Sequence, residues 1–134
     1  MILVENTINA SLEKVWEYWT KPEHIIKWTF ASDDWHAPYA ENDLTIGGRF
    51  KTTMAAKDGS FGFDFEGVYT NIRLLEEIEY EIVDGRKAFI LFSKSDNGTK
   101  VVESFQPETI NPENLQKDGW QAILNNFKRY VEQE

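Results

Sequence analysis

The 134-residue chain contains no cysteine, which removes thiol nucleophiles, disulfide staples and thiolate metal sites together. Histidine is nearly as scarce: His24 and His36 are the whole supply, and they do not form a His-x-x-x-His zinc spacing. No Gly-x-Ser-x-Gly elbow, Walker loop or Rossmann glycine pattern occurs, so those nucleophile and phosphate-cradling signatures are missing. Prolines number 4, and no Pro- or Ser-rich linker, repeat or low-complexity tract divides the chain, so residues 1–134 are expected to form a single domain. Positive charge is in deficit, with 14 Lys and Arg against 23 Asp and Glu and a formal net charge of −9. Such a chain repels phosphate backbones and anionic bilayers, which argues against nucleic acid and membrane surfaces as partners. No apolar run approaches the ~18 residues of a membrane span. The start Met1-Ile2-Leu3-Val4-Glu5 lacks the basic region of a signal peptide. A reducing cytoplasm is therefore the expected compartment.

Aromatics are what the sequence has in quantity: 5 Trp, 5 Tyr and 9 Phe, or 14% of residues, within a hydrophobic content of 41%. That content excludes an intrinsically disordered chain and calls for something to pack or bind. Ile2, Val4 and Ile8 alternate with polar neighbours, predicting a strand over roughly residues 2–9. Ser11 is placed to cap a helix bearing Leu12, Val15, Trp16 and Trp19 at helical spacing. Thr20-Lys21-Pro22-Glu23 reads as a second start, with Thr20 as cap and Pro22 in the first turn of a short helix ending near Trp28. From Trp35 to Phe105 the glycine turns Gly47-Gly48, Asp58-Gly59, Asp84-Gly85 and Asn97-Gly98 separate runs of strand-like sequence, the spacing of an antiparallel meander. Asn97-Gly98-Thr99 also matches a glycosylation sequon, but its place between two strands favours the hairpin turn. Gly67 is a candidate bulge. The closing segment, with Pro112 near its start, carries Trp120, Ile123, Leu124, Phe127 and Val131 along one helical stripe. Only this helix is long enough to cover one face of a curved sheet, and Trp120→Ala is expected to cost about 3–5 kcal/mol.

These residues resemble the START-like (SRPBCC) superfamily, and within it the homologues of the heat-shock protein 90 ATPase activator. The resemblance rests on Val15-Trp16, Thr20-Lys21-Pro22-Glu23 with Trp28, Gly47-Gly48-Arg49-Phe50, Glu66-Gly67-Val68-Tyr69, Gly98-Thr99-Lys100-Val101 and Gly119-Trp120 with Leu124. The order and spacing of these pieces match across nearly the whole chain. The proline usual between Val68-Tyr69 and Leu74-Leu75 is lacking here. The resemblance implies an α+β helix-grip fold: a curved seven-stranded antiparallel sheet around a long C-terminal helix, two short helices after strand 1, and a cavity between sheet and helix. It does not fix the function, because the fold is a container used for many purposes.

Three functions are open at this point. The leading one is a non-catalytic module that binds a small apolar or amphipathic molecule, with no cofactor or metal. The second is a chaperone co-factor or stress-response interaction protein, and the third a cyclase-like enzyme using the cavity. Monomer and homodimer are both allowed. The candidate wall comprises Phe50, Met54, Phe63, Phe65, Tyr80 and Phe92 from strands, with Trp120, Leu124 and Phe127 from the last helix. Trp28, Phe30 and Trp35 cluster where periodicity lapses and are expected at the mouth. Glu103 joins the set if Val101 and Phe105 face inward; in the opposite register Val102 and Ser104 face inward and Glu103 meets water. Arg49 beside Phe50 carries the same ambiguity. An inward Glu103 is expected to find a cationic or hydroxyl partner, since burying an unpaired charge costs several kcal/mol. His24 is expected on a short surface helix. Asp33, Asp34 and His36 could offer ligands to a cation, but three such residues within one loop is too common a coincidence to imply a metal.

Overall fold

A computed structural model describes residues 1–133. The alternation of Ile2, Val4 and Ile8 produces β1 (Ile2–Ile8), with all three buried. Ser11 has an extended backbone, and its Oγ accepts from the Lys14 amide at 3.2 Å, opening α1 (Leu12–Thr20). Thr20 does not cap the second helix. It closes the first, donating its hydroxyl to the Trp16 carbonyl at 2.8 Å, because a threonine in a last turn finds that acceptor four residues back. The second helix, α2 (Pro22–Ile25), starts from Lys21 without a side-chain cap; Pro22 supplies the fixed φ of a first turn. It ends at Ile25, and residues 26–28 continue as a turn.

Six strands follow: β2 (Trp35–Asn42), β3 (Arg49–Ala56), β4 (Gly62–Arg73), β5 (Glu77–Ile82), β6 (Lys87–Ser95) and β7 (Gly98–Phe105). Among the described residues, these six and β1 form one antiparallel sheet in the order β1-β7-β6-β5-β4-β3-β2, a meander whose last strand returns to pair with the first. The sheet curls into a half-barrel. The Asn97-Gly98 turn joins β6 to β7; Gly98 has φ 129°, and a Cβ there would lie 2.1 Å from the Ile8 carbonyl oxygen, so turn and packing both require glycine. Gly67 is not a bulge. It pairs regularly with Phe50 and Ile82, and the register instead shifts between Tyr69 and Asn71. What Gly67 permits is close approach, since a Cβ would sit 2.7 Å from the Phe50 ring. β2 breaks its register between His36 and Tyr39, where Pro38 lacks the amide a regular ladder needs. β4 runs on to Arg73, and Leu75 takes φ 66° in the turn to β5.

The chain closes with α3 (Glu113–Gln133), which buries Leu124, Phe127 and Val131. Polar bonds tie this helix to β1: Lys128 Nζ donates to the Thr7 carbonyl at 2.6 Å, Gln121 Nε2 to the Glu5 carbonyl at 3.1 Å, and Asn6 Nδ2 to Asn125 Oδ1 at 2.8 Å. The helix thereby covers the β1 edge of the sheet as well as part of its face. Seven strands are about 29 Å wide and a helix about 10 Å across, so a helix held at one edge cannot fill the whole concavity. At one end α1 fills the remainder, with Trp16 and Trp19 packed on Phe92 at centroid distances of 5.1 and 5.8 Å.

Candidate functional site

At the other end the surplus of sheet remains as a cavity of about 480 Å³ between α3 and the inward faces of β3, β4, β5 and β7. Phe50, Thr52 and Met54 reach it from β3, Phe65 and Tyr69 from β4, Tyr80 from β5 and Glu103 from β7. Period-two alternation puts each of these on the concave face. Gly119, Trp120 and Ile123 supply the helix wall, and Trp28, Phe30 and Trp35 the loop wall. The Trp120 ring stacks on Phe105 at 3.8 Å and meets Phe65 edge-on at 6.0 Å. Phe50 meets Tyr80 edge-on at 4.8 Å. Phe63 stands at the rim, 46% exposed.

Phe92, Leu124 and Phe127 are core residues and do not reach this space. Phe127 is wedged between Trp19 and Trp28 at 4.9 and 4.7 Å, where α1 and the following turn close onto α3. Trp28 is not at the mouth: it is 5% exposed, its Nε1 donates to the Tyr18 carbonyl at 3.0 Å, and it touches the cavity from inside. Asn126 Nδ2 donates to the Trp28 carbonyl at 2.9 Å, pinning this loop to α3.

Several lining residues escaped the sequence reading, among them Asn42, Thr52, Tyr69 and Arg86. Tyr69 was within reach, since it shares the alternating face of Phe65. Asn42 carries no sequence signal; it works by bridging, donating to the Thr20 carbonyl at 2.6 Å while the Tyr69 hydroxyl donates to its Oδ1. Burial holds the Tyr69 phenol well above its usual range. Arg86 lines the cavity with its charge already engaged, Nε on Asp84 at 2.8 Å and Nη1 on the Gln106 carbonyl at 3.3 Å.

Glu103 takes the inward register between buried Val101 and Phe105 and is 6% exposed, whereas Arg49 faces outward. The expected partner is not there: among the described residues no side chain or backbone group forms a hydrogen bond or ion pair with the Glu103 carboxyl. Burial alone pushes its pKa up to about 8, because desolvation penalises the charged form. At neutral pH this group is mainly the neutral acid. The Tyr80 phenol is held well above its usual range, first by burial and then by the neighbouring Glu103. Glu103 is thus a shifted titratable group, but it has no hydrogen-bonded second group of the kind that acid/base catalysis uses.

The histidines lie elsewhere. The His24 ring is half-buried, stacked on Tyr18 at 3.8 Å, with Nδ1 2.8 Å from the Tyr130 hydroxyl. Asp33, Asp34 and His36 are exposed, and among the described residues no three His, Cys, Asp or Glu side chains gather as a metal site. No helix among them is long and apolar enough to cross a membrane.

A curled antiparallel sheet gripping a long terminal helix, with a cavity between, is the START-like helix-grip architecture. Within that class the chain belongs to the family described as Activator of Hsp90 ATPase homolog 1-like protein, whose sequence model matches residues 9–132. Among solved structures it is similar to the AHSA1-like protein from Aeromonas hydrophila, at 44% identity and a TM-score of 0.92 over 98% of this chain and 91% of that one. Chr148 from Cytophaga hutchinsonii is 57% identical with a TM-score of 0.84, over 98% and 92%. NE0264 from Nitrosomonas europaea shares the fold at 19% identity, with a TM-score of 0.84 over 98% and 94%. Among curated proteins nothing matches the chain.

Proposed function

We propose that this chain is a single-domain, cytoplasmic container for a small apolar or amphipathic molecule, held without covalent chemistry. The observation that carries the reading is the cavity itself: about 480 Å³, walled by Phe50, Phe65, Tyr80 and Trp120, with a lining surface that is mostly apolar. That size and make-up suit a small-molecule site. Ligand contacts would stabilise only the folded state, so a compound at ~100 times its dissociation constant raises stability by about 2.7 kcal/mol. The test is a panel of fatty acids, sterols, flavonoids and polyketide-like aromatics, read by melting temperature and tryptophan emission. The reading expects at least one to move both; a panel that moves neither counts against it.

A second reading, a chaperone co-factor, draws on the family description and on one surface feature. Phe61 and Phe63 are 62% and 46% exposed, and both rings contact Trp35 at about 6 Å, a coherent apolar patch of the kind that marks contact surfaces. Stimulation of a purified Hsp90 ATPase that Phe61→Ser and Phe63→Ser abolish would favour it over the container.

A further inference from the structure

The cavity receives the Glu103 carboxyl, which has no partner among the described residues, and most of the charges bordering the space are acidic. Glu41, Glu103 and Glu108 all border the space, against Arg86 as the one Lys or Arg on the described wall. Arg86 is occupied by Asp84 and the Gln106 carbonyl. The whole chain adds a net charge of −9, so the field at the cavity favours a cation. Aromatic rings line the cavity that Glu103 enters: Tyr80, its electrostatic neighbour, and Phe65 from the sheet and Trp120 from the helix. Aromatic faces attract a desolvated ammonium, and a carboxylate is its natural counter-ion.

We propose that the molecule this cavity takes is an amphipathic amine, its aromatic or aliphatic body lying against Trp120, Phe65 and Phe50 and its ammonium group bound to the Glu103 carboxylate. The inference rests on the container reading and names its ligand class. A ligand carboxylate in the same pose would meet Glu103 with no free cation to mediate, and a hydrocarbon would leave the buried carboxyl unsatisfied. The proton count follows from the chemistry. An ammonium arriving from water meets mainly the neutral acid, because burial has raised its pKa to about 8. Forming the ammonium–carboxylate pair therefore releases the Glu103 proton to solvent, and affinity rises with pH, levels off once Glu103 is ionised in the free protein, and falls when the ligand itself deprotonates. The titratable or charged side chains sharing the cavity with Glu103 are Tyr69, Tyr80, Arg86, Glu41 and Glu108; Gln116, Trp120 and Ile123 from α3 do not titrate.

The experiment compares 2-(2-naphthyl)ethylamine, 2-(2-naphthyl)ethanol and 2-naphthylacetate, by calorimetric titration of the full chain and of Glu103→Gln. The amine is expected to bind tightest, with proton release and with affinity increasing from about pH 6 to about pH 8. Glu103→Gln should weaken the amine about ten- to a hundredfold, the value of a charge-assisted bond, and leave the alcohol unchanged. The wild-type proton release is measured without any variant, so it tests the proposal even if Glu103→Gln folds poorly. Equal binding of alcohol and amine, both weakened in Glu103→Gln, would mean a neutral hydrogen bond and overturn the amine while leaving the container. Tightest binding of naphthylacetate would do the same. Failure of the amine to bind would overturn the amine proposal, whereas the container falls only if the broader ligand panel also moves neither melting temperature nor tryptophan emission.

Discussion

Along α3, the half from Leu124 to Val131 is packed solid, whereas the half from Gln116 to Ile123 faces open space. Both halves present large apolar side chains to the same concave sheet, so hydrophobicity does not separate them. What separates them is a third layer. At the solid end α1 and the turn after α2 insert Trp16, Trp19 and Trp28 between helix and sheet. Among the described residues no element does so at the other end, where β3, β4 and β5 curl away from a helix tied to β1. The difference teaches that the cavity is a consequence of where the helix is tethered, not of a shortage of apolar residues.

Truncation at the solid end should show the contrast most strongly. Phe127→Ala, at a fully buried position between two indoles, is expected to cost about 3–5 kcal/mol in urea unfolding. Trp120→Ala should cost less, about 2 kcal/mol, because one side of that ring already lacks packing partners. The sequence alone put Trp120 in the same class as Phe127; the half-buried placement and cavity contact lower the figure. Equal losses for the two variants would erase the distinction between the ends.

Glu103 gives the open end a pH signature. Its folded-state pKa of about 8 exceeds the ordinary 4.5, so between those values the native state holds a proton that the unfolded state has lost. Its contribution to stability is therefore complete below about pH 4.5, declines as pH rises, and levels off above about pH 8. Glu103→Gln should remove that decline and exceed the wild type by about 4–5 kcal/mol near pH 8. The variant minus wild-type difference, taken from urea melts at several pH values, isolates this group from the other carboxylates. A flat difference would mean that Glu103 titrates as a solvated acid.

The smallest effect concerns Gly119, where an added Cβ meets nothing within 4 Å. Gly119→Ala should stabilise by about 0.5–1 kcal/mol through helix propensity alone. A loss in thermal melts would show that the N-terminal half of α3 is as tightly packed as the other half.

Much of this architecture was legible in the sequence because it depends on local rules. Alternation in Ile2, Val4 and Ile8, the Ser11 cap, the Asn97-Gly98 turn and the stripe from Trp120 to Val131 each name an element without reference to the rest. The cavity wall was only partly legible. A stripe such as Trp120, Leu124 and Phe127 reveals which face of a helix turns inward, but not how far the sheet stands from it at each turn. Phe92, Leu124 and Phe127 therefore looked equivalent to Phe65 and Trp120 until α1 was seen to fill one end. The register of β7 was undecidable because Val101, Glu103 and Phe105 compete with Val102 and Ser104, both sets being partly apolar. Pairing with β1 and β6 settles it by placing Glu103 between Val4 and Ile90, both buried. Asn42 was invisible, since its function is to connect two elements far apart in the chain.

The central claim is that the open end of the α3 interface, and not the closed one, receives a ligand. Backbone and indole chemical shifts of the ¹⁵N-labelled chain, followed during titration with 2-(2-naphthyl)ethylamine, test it most directly. Saturating shifts at Phe65, Tyr80, Glu103, Gly119 and the Trp120 indole, with Val15, Phe127 and Val131 unmoved, are the predicted result. Shifts absent at millimolar probe, or centred on Val15, Phe127 and Val131, would contradict it.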